Sequence, residues 1–249
     1  MTQYSKLPDG WQMAKFGDLV RNVRETERDP LAAGLERYVG LEHIEPENLH
    51  IKEWGLIEEG TSFTQKFVMG QVLFGKRRAY QRKVAVAEFD GVCSGDILVF
   101  EPKDDRLLPE LLPFIVQSEG FFTNALRTSS GSLSPRTRWR DLAAYEFPLP
   151  PLDEQRRIAE ILWAADAAIV KWESVLQDIE QARSSYRYTF FSGSRGWNRT
   201  DIGDLFEVQL GKMLSPKARR GISPRPYLGN ANVQWGYFDL TDHRTSIPR

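Results

Sequence analysis

The stretch PLDEQRRIAEILWAADAAIVKWESVLQDIEQARSSYRYTFFSG, residues 151–193, decides the fold because its apolar residues repeat with the spacing of one long helix. The steps between them alternate between three and four residues over four heptads, which is typical of a coiled-coil seam. The seam residues are Ile158, Ile161, Ala165, Ala168, Trp172, Val175, Ile179, Ala182 and Tyr186. A helix over about 153–191 is roughly 55–60 Å long, so we expect it to bury the seam against another long helix, from this chain or from a partner.

The helix is preceded by two prolines that end a strand, and Asp153 is predicted to cap its first turn. Residues 1–150 predict a mixed, strand-rich domain, so the fold class is α+β. Apolar β-type runs are separated by glycines, whereas residues 108–126 have a more helical pattern that Pro113 is predicted to interrupt. The β-type runs are GQVLFGK at 70–76, VAVAEFDGV at 84–92 and GDILVFEP at 95–102.

Short blocks from the opening of the chain recur, in order, after the helix. The pairs are Gly10-Trp11 with Gly196-Trp197, Phe16-Gly17-Asp18-Leu19 with Ile202-Gly203-Asp204-Leu205, and Tyr38-Val39-Gly40 with Tyr227-Leu228-Gly229. Such a repeat predicts two copies of one domain. We therefore expect a first domain at 1–150, a helix at 151–193, and at 194–249 the opening part of a second copy that is truncated before its later strands.

The composition is that of a globular protein, with 41% hydrophobic and 27% charged residues and a net charge of −1. No apolar run approaches the roughly 20 residues of a membrane span, and no export signal is evident at the N-terminus. Cys93 is the only cysteine, which excludes an intrachain disulfide and favours a reducing, cytoplasmic compartment.

Basic residues cluster despite the nearly neutral total. Residues 66–83 and 127–140 contain lysines and arginines but no acidic residue. Such segments favour a basic face that could meet a polyanion. The competing interpretation is that each is an ordinary solvated surface.

Motifs for catalysis or cofactor binding are weak. Gly70–Lys76 has the glycine and lysine spacing of a nucleotide-binding loop, but Arg77 stands where Ser or Thr would hold magnesium. Asp96 and Glu101 resemble the acids of a metal-dependent nuclease, but positions five apart on a strand face opposite sides. We therefore predict no catalytic site and no metal or other cofactor.

The histidines and the cysteine are also predicted to have no catalytic or metal-binding role. His43, His50 and His243 lack metal-ligand spacing, so they are predicted to be ordinary surface or turn residues. Cys93 has no telling partner and is predicted to be a small buried residue.

The order of motifs resembles the specificity subunit of Type I restriction-modification enzymes. The motifs are Gly10-Trp11, Phe16-Gly17-Asp18-Leu19, Tyr38-Val39-Gly40-Leu41-Glu42, GQVLFGK at 70–76, FDGV at 89–92 and PLPPLDEQ at 148–155. The resemblance implies a non-catalytic subunit with two DNA target-recognition domains held apart by two antiparallel helices. Each domain would read half of a split site in double-stranded DNA. The helices would dock methyltransferase subunits, which would recruit motor–nuclease subunits.

Two segments have the residue types that base readout and phosphate contact require. We predict DNA contacts from Lys76, Arg77, Arg78, Tyr80, Gln81, Arg82 and Lys83, and from Ser130, Ser132, Ser134, Arg136 and Arg138. Two copies of the chain could also pair their long helices as a homodimer. The alternatives are a site-specific DNA enzyme, such as a nuclease or methyltransferase, and a protein scaffold that acts through the helix.

Overall fold

The computed structural model describes residues 7–192, 200–207, 233–234 and 237–238. The chain divides into two compact units, residues 1–183 and 184–249. The strands are β1 (Gln12–Lys15), β2 (Val20–Val23), β3 (Arg37–Val39), β4 (Gly55–Leu56), β5 (Gln65–Phe67), β6 (Val72–Gly75), β7 (Val84–Val86), β8 (Gly91–Cys93), β9 (Ile97–Pro102), β10 (Glu146–Leu149), β11 (Val233–Gln234) and β12 (Tyr237–Phe238). The helices are α1 (Phe16–Leu19), α2 (Leu112–Gln117), α3 (Glu119–Thr128), α4 (Trp139–Ala143), α5 (Leu152–Ser192) and α6 (Ile202–Leu205).

Two four-stranded sheets form the centre of the first unit. One is antiparallel in the order β2-β9-β6-β7, and the other has the order β4-β3-β8-β5, in which β3 and β8 are parallel. A separate antiparallel pair joins β1 to β10 and so ties the start of the domain to the strand before the long helix. The predicted α+β class is confirmed.

Strand β6 explains why GQVLFGK is almost continuously apolar. Val72 and Phe74 pack into the core formed with α2, α3 and α4, whereas Leu73 packs into the second core on the other face of the sheet. Phe74 stacks on Phe100 of β9 with ring centroids 5.8 Å apart. Because both faces are covered, the segment is an interior strand and does not form a phosphate-binding loop.

The predicted interruption at Pro113 is wrong. Pro113 lies in the first turn of α2, where its missing N–H costs no helical hydrogen bond. The break falls at Ser118, whose extended backbone ends α2 and whose hydroxyl accepts a hydrogen bond from the Phe121 N–H at 3.3 Å. The hydroxyl therefore caps α3, and the capping residue rather than the proline determines the boundary.

The long helix α5 contains 41 residues, as the periodicity predicts. It begins at Leu152, and the Gln155 N–H donates to the Pro151 carbonyl at 2.8 Å, so the prediction that Asp153 caps the helix is wrong. The Gln155 side chain is buried and bonds to Leu108 N, Arg106 O and Pro150 O. These bonds fix the first turns to the domain.

Most of the predicted seam is exposed in the described part of the chain. Ile158 packs against the domain core, but Trp172 is 68% exposed and Ile179 is 56% exposed. An apolar stripe of this length in water is the surface that helix pairing would cover. None of the described helices combines the length and apolar content that a membrane span requires.

The repeat can be compared with the structure at one block. Phe16–Leu19 and Ile202–Leu205 both form four-residue helices, α1 and α6. The other second-copy blocks, Gly196-Trp197 and Tyr227–Gly229, lie outside the described residues.

Gly17 is predicted to be essential for close packing of α1 on α4. A Cβ at this position would lie 2.7 Å from the Ala143 Cβ and 2.9 Å from its carbonyl oxygen. We expect Gly17→Ala to lower the free energy of unfolding by about 1–3 kcal/mol, because the overlap outweighs the helix propensity that alanine adds. Urea denaturation would measure the change. Gly95→Ala is the control, since a Cβ there meets nothing within 4 Å; equal losses in both variants would contradict the packing argument.

Candidate nucleic-acid interface

The two basic segments singled out in the sequence lie side by side. Arg77 and Arg136 form an antiparallel bridge, and the Arg78 N–H donates to the Pro135 carbonyl at 2.7 Å. The Thr137 N–H donates to the Lys76 carbonyl at 3.0 Å. These backbone bonds join residues about 60 positions apart into one surface, which we call the paired basic loops, 76–83 and 129–138.

Asp96 forms ion pairs with an arginine of each of the paired basic loops. Its carboxylate accepts from Arg136 Nε at 2.8 Å and Nη2 at 3.2 Å, and Arg77 Nη1 lies 3.7 Å away. The hydrogen bond from Arg136 lowers the pKa of Asp96 and outweighs the opposing effect of its burial. Asp96 therefore stays ionised and orients both guanidinium groups.

The two acids that resemble a nuclease pair have separate partners. Asp96 binds Arg136, whereas Glu101 accepts from Arg21 and from the Gln71 amide. Among the described residues, no group of three His, Cys, Asp or Glu side chains could hold a metal ion.

Several of the predicted contact residues are also bound within the protein. Arg77 donates to the Ser134 hydroxyl at 3.1 Å, and Arg78 adopts a left-handed backbone with φ 54°. Arg82 pairs with Glu119 and lies over the Phe122 ring at 5.2 Å. The Lys83 ammonium donates to the Leu41 carbonyl at 2.6 Å. Their contribution to DNA contact remains a prediction, but each has a structural role that the sequence did not reveal.

Other predicted contact residues are free to meet a ligand. Arg138 is exposed, and Lys76 is half-buried with its charge acting on Asp96; neither makes a close ion pair with any described residue. Tyr80 is 56% exposed, and Gln81 is half-buried in the same turn. Ser130 and Ser132 are exposed on the second loop.

The paired basic loops form one side of a polar cleft of about 650 Å³. Lys76, Arg136 and Arg138 line it from the loops. The residues that the sequence analysis missed are Asn22, Arg24, Thr26 and Gln65. The signal for three of them was the spacing of every second residue, with Asn22 in β2 and Arg24 and Thr26 in the segment after it, which places them on one face of an extended chain.

A family model described as "Type I restriction modification DNA specificity domain" matches residues 8–181. The chain belongs to this family.

The similarity of the specificity domain to known proteins extends over most of the chain. The chain is 28% identical to the "Type I restriction enzyme EcoDI specificity subunit" of Escherichia coli, over 200 residues that make up 75% of this chain and 43% of the relative. It is 22% identical over 248 residues, 90% of this chain and 57% of the relative, to the "Putative type I restriction enzyme MjaX specificity subunit" of Methanocaldococcus jannaschii. The chain thus spans about half the length of these curated relatives.

The fold of the specificity domain is also found in a solved structure. The crystal structure of the HsdS subunit from Thermoanaerobacter tengcongensis matches with a TM-score of 0.57 and 21% identity, over 80% of this chain and 53% of that one. This likeness supports the α+β architecture with its long helix.

Within the specificity domain, His50 is partly exposed and makes contacts that the sequence did not predict. Its Nε2 lies 2.7 Å from Asp166 of α5, and its Nδ1 lies 2.8 Å from Glu88. Lys52 extends the contact, with its ammonium 3.0 Å from Glu173. His50 therefore fastens the helix to the domain about four turns beyond its first residue, Leu152.

We expect the His50 contact to weaken as pH rises. Partial burial lowers the pKa of His50, but hydrogen bonds to Asp166 and Glu88 raise it more, so the net pKa lies above the ordinary 6.5. A raised folded-state pKa gives stability that is fully present below 6.5 and is lost as pH rises through the folded value. The difference in free energy of unfolding between wild type and His50→Gln should shrink from pH 6 to pH 9.

Urea titrations at several pH values would measure this difference. His43→Gln is the control, because His43 Nδ1 accepts from the Gly40 N–H and has no carboxylate partner in the described part of the chain. A pH-independent difference between wild type and His50→Gln would contradict the assignment.

Of the three remaining histidine and cysteine positions, the structure describes His43 and Cys93. His43 lies in a short turn, as expected. Cys93 is buried, and this burial raises the pKa of its thiol to about 12, which suits a packing residue rather than a nucleophile. His243 lies outside the described residues.

Proposed function

We propose that this chain is a non-catalytic DNA-recognition component of a Type I restriction-modification complex. In this proposal residues 1–150 bind double-stranded DNA, residues 151–193 space and dock the subunits, and residues 194–249 begin a second recognition domain. The observation that carries the proposal is the convergence of two acid-free basic segments on one polar cleft, in a chain of the specificity-domain family.

The charge of the cleft supports DNA as its ligand. Arg24, Lys76, Arg136 and Arg138 line it, and no acidic side chain is among its lining residues. Asp96 lies beside it and is already engaged by Arg136 and Arg77. The excess positive charge is therefore available to phosphates, which provide most of the affinity in protein–DNA binding.

The exposed seam supports docking of a helical partner. We propose that α5 binds methyltransferase subunits, which would bring in the motor–nuclease subunits. Residues of the stripe such as Trp172 and Ile179 remain exposed within the described chain. Two copies of the chain pairing this helix antiparallel would bury the same stripe and place two recognition domains at a two-fold related split site.

Binding of the purified chain to duplex DNA over a range of salt concentrations tests the proposal. We expect log K to fall linearly with log salt, by about 0.9 for each phosphate contact. Co-expression with the methyltransferase subunit of its own system should yield a complex, and mapping of methylated adenines or cytosines should give one sequence motif. Methyl transfer or DNA cleavage by the chain alone would favour an enzyme, and complex formation without any DNA binding would favour a scaffold.

A further inference from the structure

We propose that Asn22 of β2 and Arg24, just after that strand, determine sequence specificity by reading base edges from the wall of the cleft that the paired basic loops do not form. This inference rests on the proposed DNA-binding function and adds that the two walls of the cleft have different roles. One wall would read bases, and the other would hold the phosphate backbone.

The backbone places the reading residues on one face. Val20 of β2 packs into the core formed with α2, α3 and α4, and Val23 packs into the second core, on the other face of the sheet. Side chains alternate along an extended strand, so Asn22, Arg24 and Thr26 follow the face of Val20, and all three line the cleft. On this face Val20 is buried and apolar, whereas the residues that follow, beginning with Asn22, are polar and line the cleft.

The chain beyond β2 is held rigidly against β5. Thr26 and Gln65 form an antiparallel bridge, and the Lys66 N–H donates to the Glu25 carbonyl at 2.8 Å. The Gln65 amide donates to the Val23 carbonyl at 2.8 Å. A readout wall needs this preorganisation, because ordering a loose segment on binding would cost affinity.

The polar groups on this wall are free in the described structure. The amide of Asn22 and the guanidinium of Arg24 make no hydrogen bond or ion pair with described residues, and Arg24 is exposed. Asparagine forms a bidentate pair with adenine N6 and N7, and arginine forms one with guanine O6 and N7. Free amide and guanidinium groups on a rigid wall are therefore suited to base readout.

The wall formed by the paired basic loops has a different chemistry. Neither Lys76 nor Arg138 makes a close ion pair with a described residue, although the charge of Lys76 acts on Asp96, and Arg136 is aligned by Asp96. Cations of this kind suit phosphates, which fix the register of the protein on the duplex without reporting sequence. The cleft of about 650 Å³ between the walls exceeds the volume of a single side chain, so it can admit part of a DNA strand.

Selection from a random duplex pool, followed by sequencing, tests the assignment. The full chain, Asn22→Ala and Arg24→Lys are compared, each after thermal melting shows a wild-type fold. Arg24→Lys keeps the charge but loses the fork that contacts guanine. We expect each variant to lose about 10- to 100-fold discrimination at one or two positions of the motif, because a bidentate pair contributes that much to selectivity. The slope of log K against log salt should stay unchanged.

Three results are informative. If both variants enrich the wild-type motif with wild-type discrimination, the assignment of Asn22 and Arg24 is overturned. If Arg24→Lys keeps the motif with wild-type discrimination while Asn22→Ala loses it, the charge of Arg24 is sufficient, so Arg24 contacts phosphate and its assignment fails. If the wild-type chain binds DNA at no salt concentration, the proposed function fails, and this inference falls with it.

Discussion

Lys76→Ala combined with Arg138→Ala is expected to weaken binding to duplex DNA by about 10- to 100-fold at 0.15 M salt, since each charge-assisted contact contributes about 1 kcal/mol or more. Both side chains line the cleft, and neither makes an ion pair with a described residue. Removing two phosphate contacts should also reduce the slope of log K against log salt by about two. Fluorescence anisotropy of a labelled duplex would measure both quantities. The salt concentration would be varied from about 50 to 300 mM, where the affinity changes strongly with salt.

These two positions report on DNA contact more cleanly than their neighbours. Arg77 is bonded to Ser134 and faces Asp96, and Arg78 holds a left-handed turn. Changing either would disturb the loops as well as the charge. Lys15→Ala with Lys171→Ala removes the same charge at positions outside the cleft and is the control. An equal reduction of slope in the control would mean that net charge rather than the cleft drives binding.

Trp172→Asp is expected to weaken association through the long helix by at least about 100-fold, because a buried aromatic anchor contributes about 2–4 kcal/mol and a carboxylate in its place must be desolvated. Trp172 is 68% exposed in the described chain and lies in the middle of the seam. The domain should stay folded, since its buried contacts with the helix involve Gln155, Ala159 and Trp163, and the Lys52–Glu173 ion pair next to Trp172 is exposed. Light scattering for self-association, and co-purification for methyltransferase docking, would measure the effect.

Ser174→Asp is the matched control for this prediction. It adds the same charge two residues away, about 200° around the helix and off the seam. If Trp172→Asp retains the partner as well as Ser174→Asp does, the seam has been assigned to the wrong face. Unchanged thermal melting in both variants would confirm that the domain itself is intact.

The elements of this fold follow largely from local pattern. The three-and-four spacing of 158–186 predicted a helix over about 153–191, where the structure has one of 41 residues, and the apolar β-type run GQVLFGK predicted a strand, β6. Both signals act within a few residues, because side-chain direction repeats every 3.6 residues in a helix and every two in a strand. The boundaries were less well determined: Ser118, rather than Pro113, separates α2 from α3.

The composition of the candidate site depended on contacts between residues far apart in the chain. The sequence identified two basic segments, but only the tertiary structure pairs Arg77 with Arg136 and places Asp96 within hydrogen-bonding distance of Arg136. Only the tertiary structure, in which the chain after β2 bridges to β5 at Thr26 and Gln65, brings Asn22 and Arg24 to the same cleft as the basic loops. The physical reason is that hydrogen bonds and ion pairs depend on distance in space, which sequence spacing does not encode. His50 and Asp166, 116 positions apart, meet at 2.7 Å because the first four turns of the long helix pack against the domain.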